Sequence, residues 1–447
     1  MFNERQALIN AKNNPWQVKY ELDSYNYYFQ QEMEESGKEP FQLDKHIHGV
    51  YPVLGEKFEY FKKTSQMLFK IYEKVIAERH RALCAGEDDF GFSEFQQRLA
   101  KVKPNSGKLI RHMRLDAIYS PSHGTLQILE NNPENPGGIW DNDFAVSCMQ
   151  RNMSKIYSDL FAPNGDFSKI NADKQKERCL NSIVSAYETQ FGKKPKTIAV
   201  GIFPEDYEDF IAYTQANYFR KNGYNAIVCD PCKLRYVDGK VYFEDTQVDV
   251  VFRGCLMSEI EDHSHELEDF AAAYENQDLC VVPPLCDALG NSKALLAEIP
   301  TKYAKLLNAS EKKLLREVFP QTTLITEENY DEIMSDLMNT VIKCSEGYGG
   351  FGVIVGRESF DKELPTLEEI KATPWVAQKY YPHETIKCPY YHSDGSVTIE
   401  TVNIVLGNLV IMGEYSGTLV RGSLTNVINT HQGAEILTSF DQGYIIK

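Results

Sequence analysis

The sequence lacks any apolar run approaching the ~18 residues that a membrane-spanning helix requires. Its first residues include Glu4 and Arg5, without the short apolar segment of a secretory signal peptide. These two absences predict a cytoplasmic protein that has no membrane partner.

Positive charge is also scarce. The 447 residues include 47 Lys and Arg against 64 Asp and Glu, which leaves a formal net charge of −17. Because binding to a nucleic-acid backbone requires a basic face, this balance argues against nucleic acid as the main partner. It leaves room for a local basic site.

The ten cysteines are scattered and mostly lie in apolar runs, as at Cys148, Cys255 and Cys280. This pattern is typical of reduced, buried thiols in a cytosolic protein. Cys229 and Cys232 form a CxxC pair without a second pair, and we interpret it as incidental.

Repeats, low-complexity tracts and long linkers are absent, and the length predicts two or three domains. Residues 56–82 carry apolar side chains at helical spacing, which predicts one long amphipathic helix. The polar and aromatic residues 1–55 indicate short helices.

Glycine is concentrated in one stretch, residues 341–356 (VIKCSEGYGGFGVIVG), between two β-branched runs. Backbone N–H groups of such a loop suit phosphate oxygens, and Lys343 precedes it. The loop runs into a strand at Val353, which excludes a dinucleotide fingerprint, and it lacks the Gly-Lys-Ser/Thr of a Walker A loop. The order of motifs excludes a protein kinase, since the DFG triplet at 89–91 precedes the loop and no HRD follows. A nucleotide-binding hairpin and a plain hairpin with a glycine-rich turn both stay open.

A second hairpin with polar ends is predicted over residues 109–138. Arg114 and Asp116 alternate to one face of its first strand, and Glu130 and Asn132 to one face of its second. If the strands pair, Asp116, Glu130 and Asn132 form an all-oxygen set that suits Mg²⁺. A surface hairpin with capping polar residues is the alternative.

The middle of the chain reads as strand–helix–strand, which predicts a small unit with a parallel sheet. Arg253 follows its last strand, and ligands of such sheets bind at the carboxyl ends of strands, so we expect Arg253 to hold an anionic group. The expected elements are strands at 196–203, 226–229 and 248–252 and a helix over 205–222.

The remaining chain is predicted to form a short strand at 279–282 and then a helix that carries Asn291 and Lys293. The last part is rich in strands. These are expected at 375–380, 397–406, 409–415 and 419–421.

Six segments in one order resemble the circularly permuted ATP-grasp ligases, of which glutathionylspermidine synthetase is the best-known type. The match covers roughly residues 114–429, with one residue inserted between Asn291 and Lys293. The segments are 114–116 with 129–132, 248–253, 282–284 with 291–296, 341–352, 375–380 and 419–421.

The resemblance implies an α/β (α+β) protein with an ATP-grasp fold in circularly permuted order and a small Rossmann-like parallel α/β domain. We expect four regions. They are a helical N-terminal region (1–110), a permuted part of the core with the metal ligands (111–190), a Rossmann-like substrate domain (191–290) and an ATP-binding domain with a glycine-rich lid hairpin (291–447).

The same resemblance assigns roles to individual residues. ATP and two Mg²⁺ ions are the implied cofactors, with Asp116, Glu130 and Asn132 as metal ligands. Arg421, Arg114 and Arg253 are the candidate catalytic residues. Those expected to contact the nucleotide are Lys293, Lys343, Gly347, Tyr348, Gly349, Gly350, Gln378, Lys379 and Tyr380.

The implied activity is an ADP-forming ligase that activates a carboxylate as an acyl phosphate and joins it to an amine. The expected partners are small-molecule or peptide carboxylates and amines. Ligation to a thiol, such as that of a carrier protein, is one alternative. A small-molecule kinase and a non-catalytic ATP-binding regulatory protein are two others.

Overall fold

A computed structural model gives the fold. It describes residues 2–120, 123–162, 166–204, 210–346, 352–358, 364–425, 428 and 433–446. The helices are α1 Glu4–Asn13, α2 Pro15–Glu35, α3 Gly55–Ala85, α4 Glu94–Ala100, α5 Ile139–Arg151, α6 Ser158–Phe161, α7 Lys174–Phe191, α8 Phe210–Lys221, α9 Met257–Asp262, α10 Glu268–Glu275, α11 Leu295–Glu298, α12 Ala309–Val318, α13 Tyr330–Ser335 and α14 Leu367–Ala372.

The strands fall into four sheets. They are β1 Val50–Val53, β2 His112–Ser120, β3 Thr125–Asn132, β4 Thr197–Gly201, β5 Asn225–Cys229, β6 Leu234–Val237, β7 Lys240–Phe243, β8 Thr246–Val248, β9 Val250–Arg253, β10 Cys280–Val282, β11 Thr322–Leu324, β12 Thr340–Cys344, β13 Val353–Val355, β14 Trp375–Lys379, β15 Glu384–Tyr391, β16 Val397–Ile411, β17 Glu414–Ser423 and β18 Glu435–Asp441.

The largest sheet has the strand order β1-β18-β17-β16-β2-β3, and β15 pairs with the first half of β16. The hairpin predicted over residues 109–138 is confirmed as the antiparallel pair β2–β3. The long helix predicted over residues 56–82 is α3, whose buried face packs against this sheet. The opposite face carries Arg114 and Asp116 and also apolar residues such as Leu409, which belongs to a second hydrophobic cluster that includes residues of α7.

The two strands predicted at 397–406 and 409–415 are instead one strand, β16. Gly407 and Asn408 have the composition of a turn, but both lie inside the sheet, where they pair with Asp116 and Leu115 of β2. The real turn comes at Met412 and Gly413, both with positive φ.

The parallel unit is confirmed, with strand order β10-β9-β4-β5. The backbones of β4 and β9 come very close at their carboxyl ends, where Gly254 N–H donates to Gly201 O at 2.7 Å. A Cβ at Gly254 would lie 2.5 Å from Ile202, so only glycine permits this approach.

The glycine-rich stretch is flanked by the antiparallel pair β12–β13, in a sheet of order β11-β14-β12-β13. Strand β14 matches the strand predicted at 375–380. Residues Gly347, Tyr348, Gly349 and Gly350 lie outside the described residues.

Strands of the largest sheet come from three of the four regions expected from the sequence, since β1 pairs with β18 in parallel. The division into domains therefore stays a prediction. The N-terminal part contains a helix of 21 residues, α2, where short helices were expected. Across the described part of the chain, no helix combines the length and apolarity needed to span a membrane.

Gly138 precedes α5 and has a φ of +101°, a conformation that L side chains rarely adopt. A Cβ here would lie 2.7 Å from Leu419 Cδ2. We expect Gly138→Ala to lower the free energy of unfolding in urea by ~3 kcal/mol, from strain and overpacking together.

The matched control is Gly192→Ala, because Gly192 also has positive φ but has open space around its Cα. Gly192→Ala is expected to lower the free energy of unfolding by only ~1 kcal/mol. Equal costs for the two variants would show that the contact with Leu419 contributes nothing.

Candidate active site

The polar side chains predicted for the β2–β3 hairpin lie on one face of the largest sheet. Asp116 lies opposite Glu130 on β3 and opposite Gly407 on β16, and Arg114 lies opposite Asn132. Directly opposed residues of antiparallel strands share a face of the sheet. The structure therefore brings Arg114, Asp116, Glu130 and Asn132 together.

The carboxylate of Asp116 is held between two guanidinium groups. Arg114 donates to its two oxygens at 2.7 and 3.1 Å, and Arg421 of β17 donates at 2.8 Å. Asp116 is only 2% exposed, and burial alone would raise its pKa. The two arginines outweigh burial and lower the pKa of Asp116 to about 2, so it is ionised at neutral pH.

The side chain of Arg114 lies over a strand position that has no side chain. A Cβ at Gly407 would be 2.8 Å from Arg114 Cδ and 3.2 Å from Asp116 Oδ1. Gly407 is thus a site residue that the sequence analysis missed. A glycine inside a β-branched run was the available signal, since such a glycine often marks a close approach.

Glu130 forms an ion pair with Lys293 at 3.2 Å. The helix expected around Asn291 and Lys293 is wrong, because Lys293 lies in a loop between a 3₁₀ turn ending at Gly290 and helix α11. The backbone N–H of Lys293 donates to Ser345 O at 3.1 Å, which joins this loop to the glycine-rich hairpin.

Lys343 reaches from β12 to a β-bulge in the hairpin. The register of β2 and β3 shifts after Asp116, and the ammonium of Lys343 donates to Leu129 O at 3.0 Å within this irregularity. It also donates to Gln378 Oε1 at 2.7 Å. Burial lowers the pKa of Lys343 to about 8.

The three residues expected on the adenine-facing strand have different surroundings. Gln378 is 1% exposed, and its amide contacts Lys343 and Thr322. Lys379 is exposed, and the Tyr380 ring lies 3.7 Å below the guanidinium of Arg357. The roles of these three residues toward a nucleotide stay predictions.

Arg253 does not have the surroundings expected for a substrate ligand. It is 0% exposed and forms ion pairs with Glu134 at 3.1 Å and Asp287 at 2.6 Å. It also donates to the carbonyl oxygens of Pro283 and Cys255. These buried contacts favour a scaffold role for Arg253, and its role toward a substrate stays a prediction.

Glu134 links this scaffold to the loop that carries Asn291 and Lys293. Its Oε1 accepts from Arg253 and from the backbone N–H of Met257, and its Oε2 accepts from Asn291 Nδ2 at 2.6 Å. No sequence motif indicated this role for Glu134. The parallel sheet is thereby connected to the loop that carries Lys293.

A cleft of about 730 Å³ opens beside these groups, within the range of small-molecule sites. It is lined by five of the predicted residues: Arg114, Glu130, Asn132, Lys293 and Arg421. Asp116 is buried beneath the floor of the cleft, where it contacts Arg114 and Arg421.

The scaffold role of Arg253 can be tested without any substrate. Arg253→Gln should lower the free energy of unfolding by about 3–5 kcal/mol, because two buried carboxylates lose their countercharge. Arg235→Gln, an exposed position in the same part of the chain, is the control and should be nearly neutral. A stable Arg253 variant with weakened substrate binding would restore the role expected from the sequence.

Comparisons with known proteins identify the family of this chain. Residues 82–378 match the family described as a circularly permuted ATPgrasp, which is more than half of the chain. An uncharacterised protein of Mycobacterium tuberculosis (strain ATCC 25618 / H37Rv) is 22% identical over 349 residues, covering 70% of this chain and 60% of that protein. One of Mycobacterium leprae (strain TN) is 22% identical over 309 residues, covering 65% and 51%.

The chain thus spans 60% or less of the length of these two curated relatives. Among solved structures, a glutathione synthetase-like effector from Globodera pallida has a similar fold, with a TM-score of 0.61 and 13% identity. The alignment covers 95% of this chain and 96% of that chain. The family match and the observed sheets confirm the fold class expected from the sequence. The chain therefore belongs to the circularly permuted ATP-grasp family.

Proposed function

We propose that this protein is an ATP-dependent ligase that activates a carboxylate as an acyl phosphate and joins it to an amine. The observation that carries the proposal is the carboxylate of Asp116 between Arg114 and Arg421, beside Glu130 and Lys293. Fixed cations and oxygen donors at one cleft are what phosphoryl transfer requires. The family match supports the use of ATP.

The oxygen donors of the site fit Mg²⁺ in their chemistry, being two carboxylates and one amide. Within the described residues, no group of three or more His, Cys, Asp or Glu side chains is arranged to hold a metal ion. The proposed set therefore combines the carboxylates of Asp116 and Glu130 with the amide of Asn132. Glu130 and Asn132 line the cleft, whereas Asp116 is buried and already accepts three hydrogen bonds from Arg114 and Arg421. Bound Mg²⁺ would neutralise phosphate charge.

Two lysines come from different elements around the cleft: Lys293 lines it, and Lys343 is buried near Glu130. Lys293 comes from the loop before α11, and Lys343 comes from the glycine-rich hairpin. Lys343 uses two of its three N–H donors on Leu129 O and Gln378, which leaves one for a phosphate oxygen. We assign both lysines to the nucleotide phosphates, with residues 347–350 as the covering loop.

The proposed chemistry has two steps. An oxygen of the substrate carboxylate attacks the γ-phosphorus of ATP, and the bond to ADP breaks. The amine nitrogen then attacks the acyl carbon, inorganic phosphate leaves, and the nitrogen loses a proton. We assign Arg421 and Arg114 to stabilising the transferring group, since one guanidinium group can donate two parallel N–H bonds to phosphate oxygens.

The alternatives lack a specific observation among the described residues. A thiol or carrier-protein acceptor, a kinase and a non-catalytic ATP-binding protein would share the phosphate site. We favour the ligase over the non-catalytic protein because each described metal and phosphate position carries a chemically competent side chain.

The deciding experiment is a screen of acids and amines coupled to ADP release. We expect ADP release that needs one acid and one amine together, with ADP and inorganic phosphate as products. ADP release with a hydroxyl compound and no acid would indicate a kinase. Stoichiometric AMP and pyrophosphate would overturn the acyl-phosphate mechanism.

Glu130→Gln should reduce turnover by roughly 10²-fold or more, while the exposed Glu317→Gln serves as control.

Lys343 should make nucleotide affinity depend on pH. Its lowered pKa of about 8 means that its positive charge is present below pH 8 and is lost as the pH rises through 8. If one ammonium proton is required, affinity for Mg·ATP falls by roughly tenfold between pH 7 and pH 9. Isothermal titration calorimetry at each pH measures this change.

Lys343→Gln should bind more weakly and with a flatter pH dependence, because it has no charge to lose. Lys313→Gln, at an exposed position on α12, should match the unmodified protein. If the steep pH dependence of Mg·ATP affinity persists in Lys343→Gln, it arises from the titration of another group.

A further inference from the structure

A cavity of about 280 Å³ lies between helices α2, α5 and α8, beside the start of β18. Its volume is near the lower limit of small-molecule sites, which suits a compact ligand. Among the described residues, no side chain lines both this cavity and the cleft of the candidate active site. Trp140, Asp141 and Ile211 line it and also a smaller cavity of about 180 Å³, which has loop 135–138 as another wall.

Aromatic rings form the apolar part of the wall. Phe29 packs edge to face with Phe210, with 4.6 Å between the ring centroids, and Tyr25 packs edge to face with Phe144 at 5.0 Å. The face of an aromatic ring carries partial negative charge. This wall therefore accepts an apolar group or an organic cation, and it disfavours an anion.

Negative charge exceeds positive charge around the cavity. Within the described part of the chain, four carboxylates and one lysine line it: Glu32, Asp44, Asp141, Glu435 and Lys45. The Lys45 ammonium donates to Ile436 O at 2.6 Å and lies 3.6 Å from Glu435, so this lysine and this acid balance each other. Asp44 contacts the ring of His46 at 2.8 Å. The remaining charge favours a positively charged ligand.

Glu32 is the carboxylate with the most open capacity. Its only partner among the described residues is the Lys176 ammonium, at 3.9 Å, which is too long for a hydrogen bond. The side chain of Glu32 is 26% exposed, so a small molecule can reach it.

The hydroxyl of Tyr25 lies near this carboxylate. Tyr25 precedes Glu32 by two turns of α2, and its hydroxyl makes no hydrogen bond within the described part of the chain. Burial raises the pKa of Tyr25 well above its usual value, and the charges of Asp141, Glu32 and Glu435 add to that shift. A neutral hydroxyl oxygen and an open carboxylate thus lie at one end of an aromatic cavity.

We propose that this cavity binds a primary amine with a compact apolar body. The ammonium group donates to the Glu32 carboxylate and to the Tyr25 hydroxyl oxygen, and the apolar body packs against the phenylalanine rings. An inorganic cation would leave the aromatic wall unfilled, whereas an organic ammonium ion uses both parts of the cavity. The inference goes beyond the proposed ligase activity, since the cavity is separate from the cleft.

The first test is calorimetric titration of the full-length protein, without nucleotide, with 2-phenylethylamine, n-butylamine, 2-phenylethanol and 3-phenylpropanoate. We expect 2-phenylethylamine to bind at least ~10-fold more tightly than 2-phenylethanol, which lacks the charge. The anionic 3-phenylpropanoate should bind most weakly, because the carboxylates repel it. Equal binding of 2-phenylethylamine and 2-phenylethanol, or no saturable binding of either amine, overturns the proposal.

Two substitutions locate the bound amine. Glu32→Gln keeps the shape of the side chain and removes its charge, so it should weaken amine binding by roughly 10-fold and leave 2-phenylethanol binding unchanged. Tyr25→Phe keeps the ring and should weaken amine binding by about 3–5-fold. Glu34→Gln, at an exposed position on the same helix, is the matched control and should bind like the unmodified protein. Unfolding in urea checks that each variant is folded, and unchanged amine affinity in both cavity variants overturns the proposal.

A substrate amine in the cleft would give a different result. Amine affinity that falls in Glu130→Gln and is unchanged in Glu32→Gln would place the amine in the cleft and contradict this inference. Amine affinity that falls in Glu32→Gln and is unchanged in Glu130→Gln supports it, whether or not the protein releases ADP with any acid.

Discussion

The site depends on one buried negative charge, the carboxylate of Asp116 between two guanidinium groups. Moving a charge out of water is costly, and it is tolerated here because Arg114 and Arg421 supply three hydrogen bonds to that carboxylate. The arrangement requires a strand position without a side chain, which Gly407 provides. Because Asp116 holds them, the guanidinium groups of Arg114 and Arg421 are already positioned beside the cleft when no ligand is bound.

Polar contacts also hold the separate sheets around this centre. Lys343 connects the glycine-rich hairpin to the bulge at Leu129, and Glu134 connects the buried Arg253 to Asn291. In the second link, Glu134 and Asn291 line the cleft, whereas Arg253 is fully buried. A change in the cleft is therefore expected to affect the packing between sheets, and stability and ligand binding should be measured together in every variant.

Loop 135–138 has a special position because it separates two cavities of different character. The larger cleft is lined by lysine and arginine side chains, and the smaller cavity is lined by the start of α5 and by Trp140. Gly138 is required there, since Leu419 occupies the space that a Cβ would need.

The sequence by itself determined the local patterns: the helix α3, the β2–β3 hairpin, the parallel unit and the face shared by Arg114, Asp116, Glu130 and Asn132. Alternation along a strand and spacing along a helix decide which side chains share a face, and both can be read from neighbouring residues. The order of short motifs was sufficient to indicate the family.

Only the tertiary structure decided what packs onto each face. Arg253 ends a strand as expected, but Glu134 and Asp287, which are distant in the chain, bury it completely. Gly407 and Asn408 have the composition of a turn, but in the structure they lie within β16, which pairs with β2 on one side and β17 on the other. Burial, ion pairing and the close approach of backbones depend on residues far apart in sequence, and local periodicity carries no information about them.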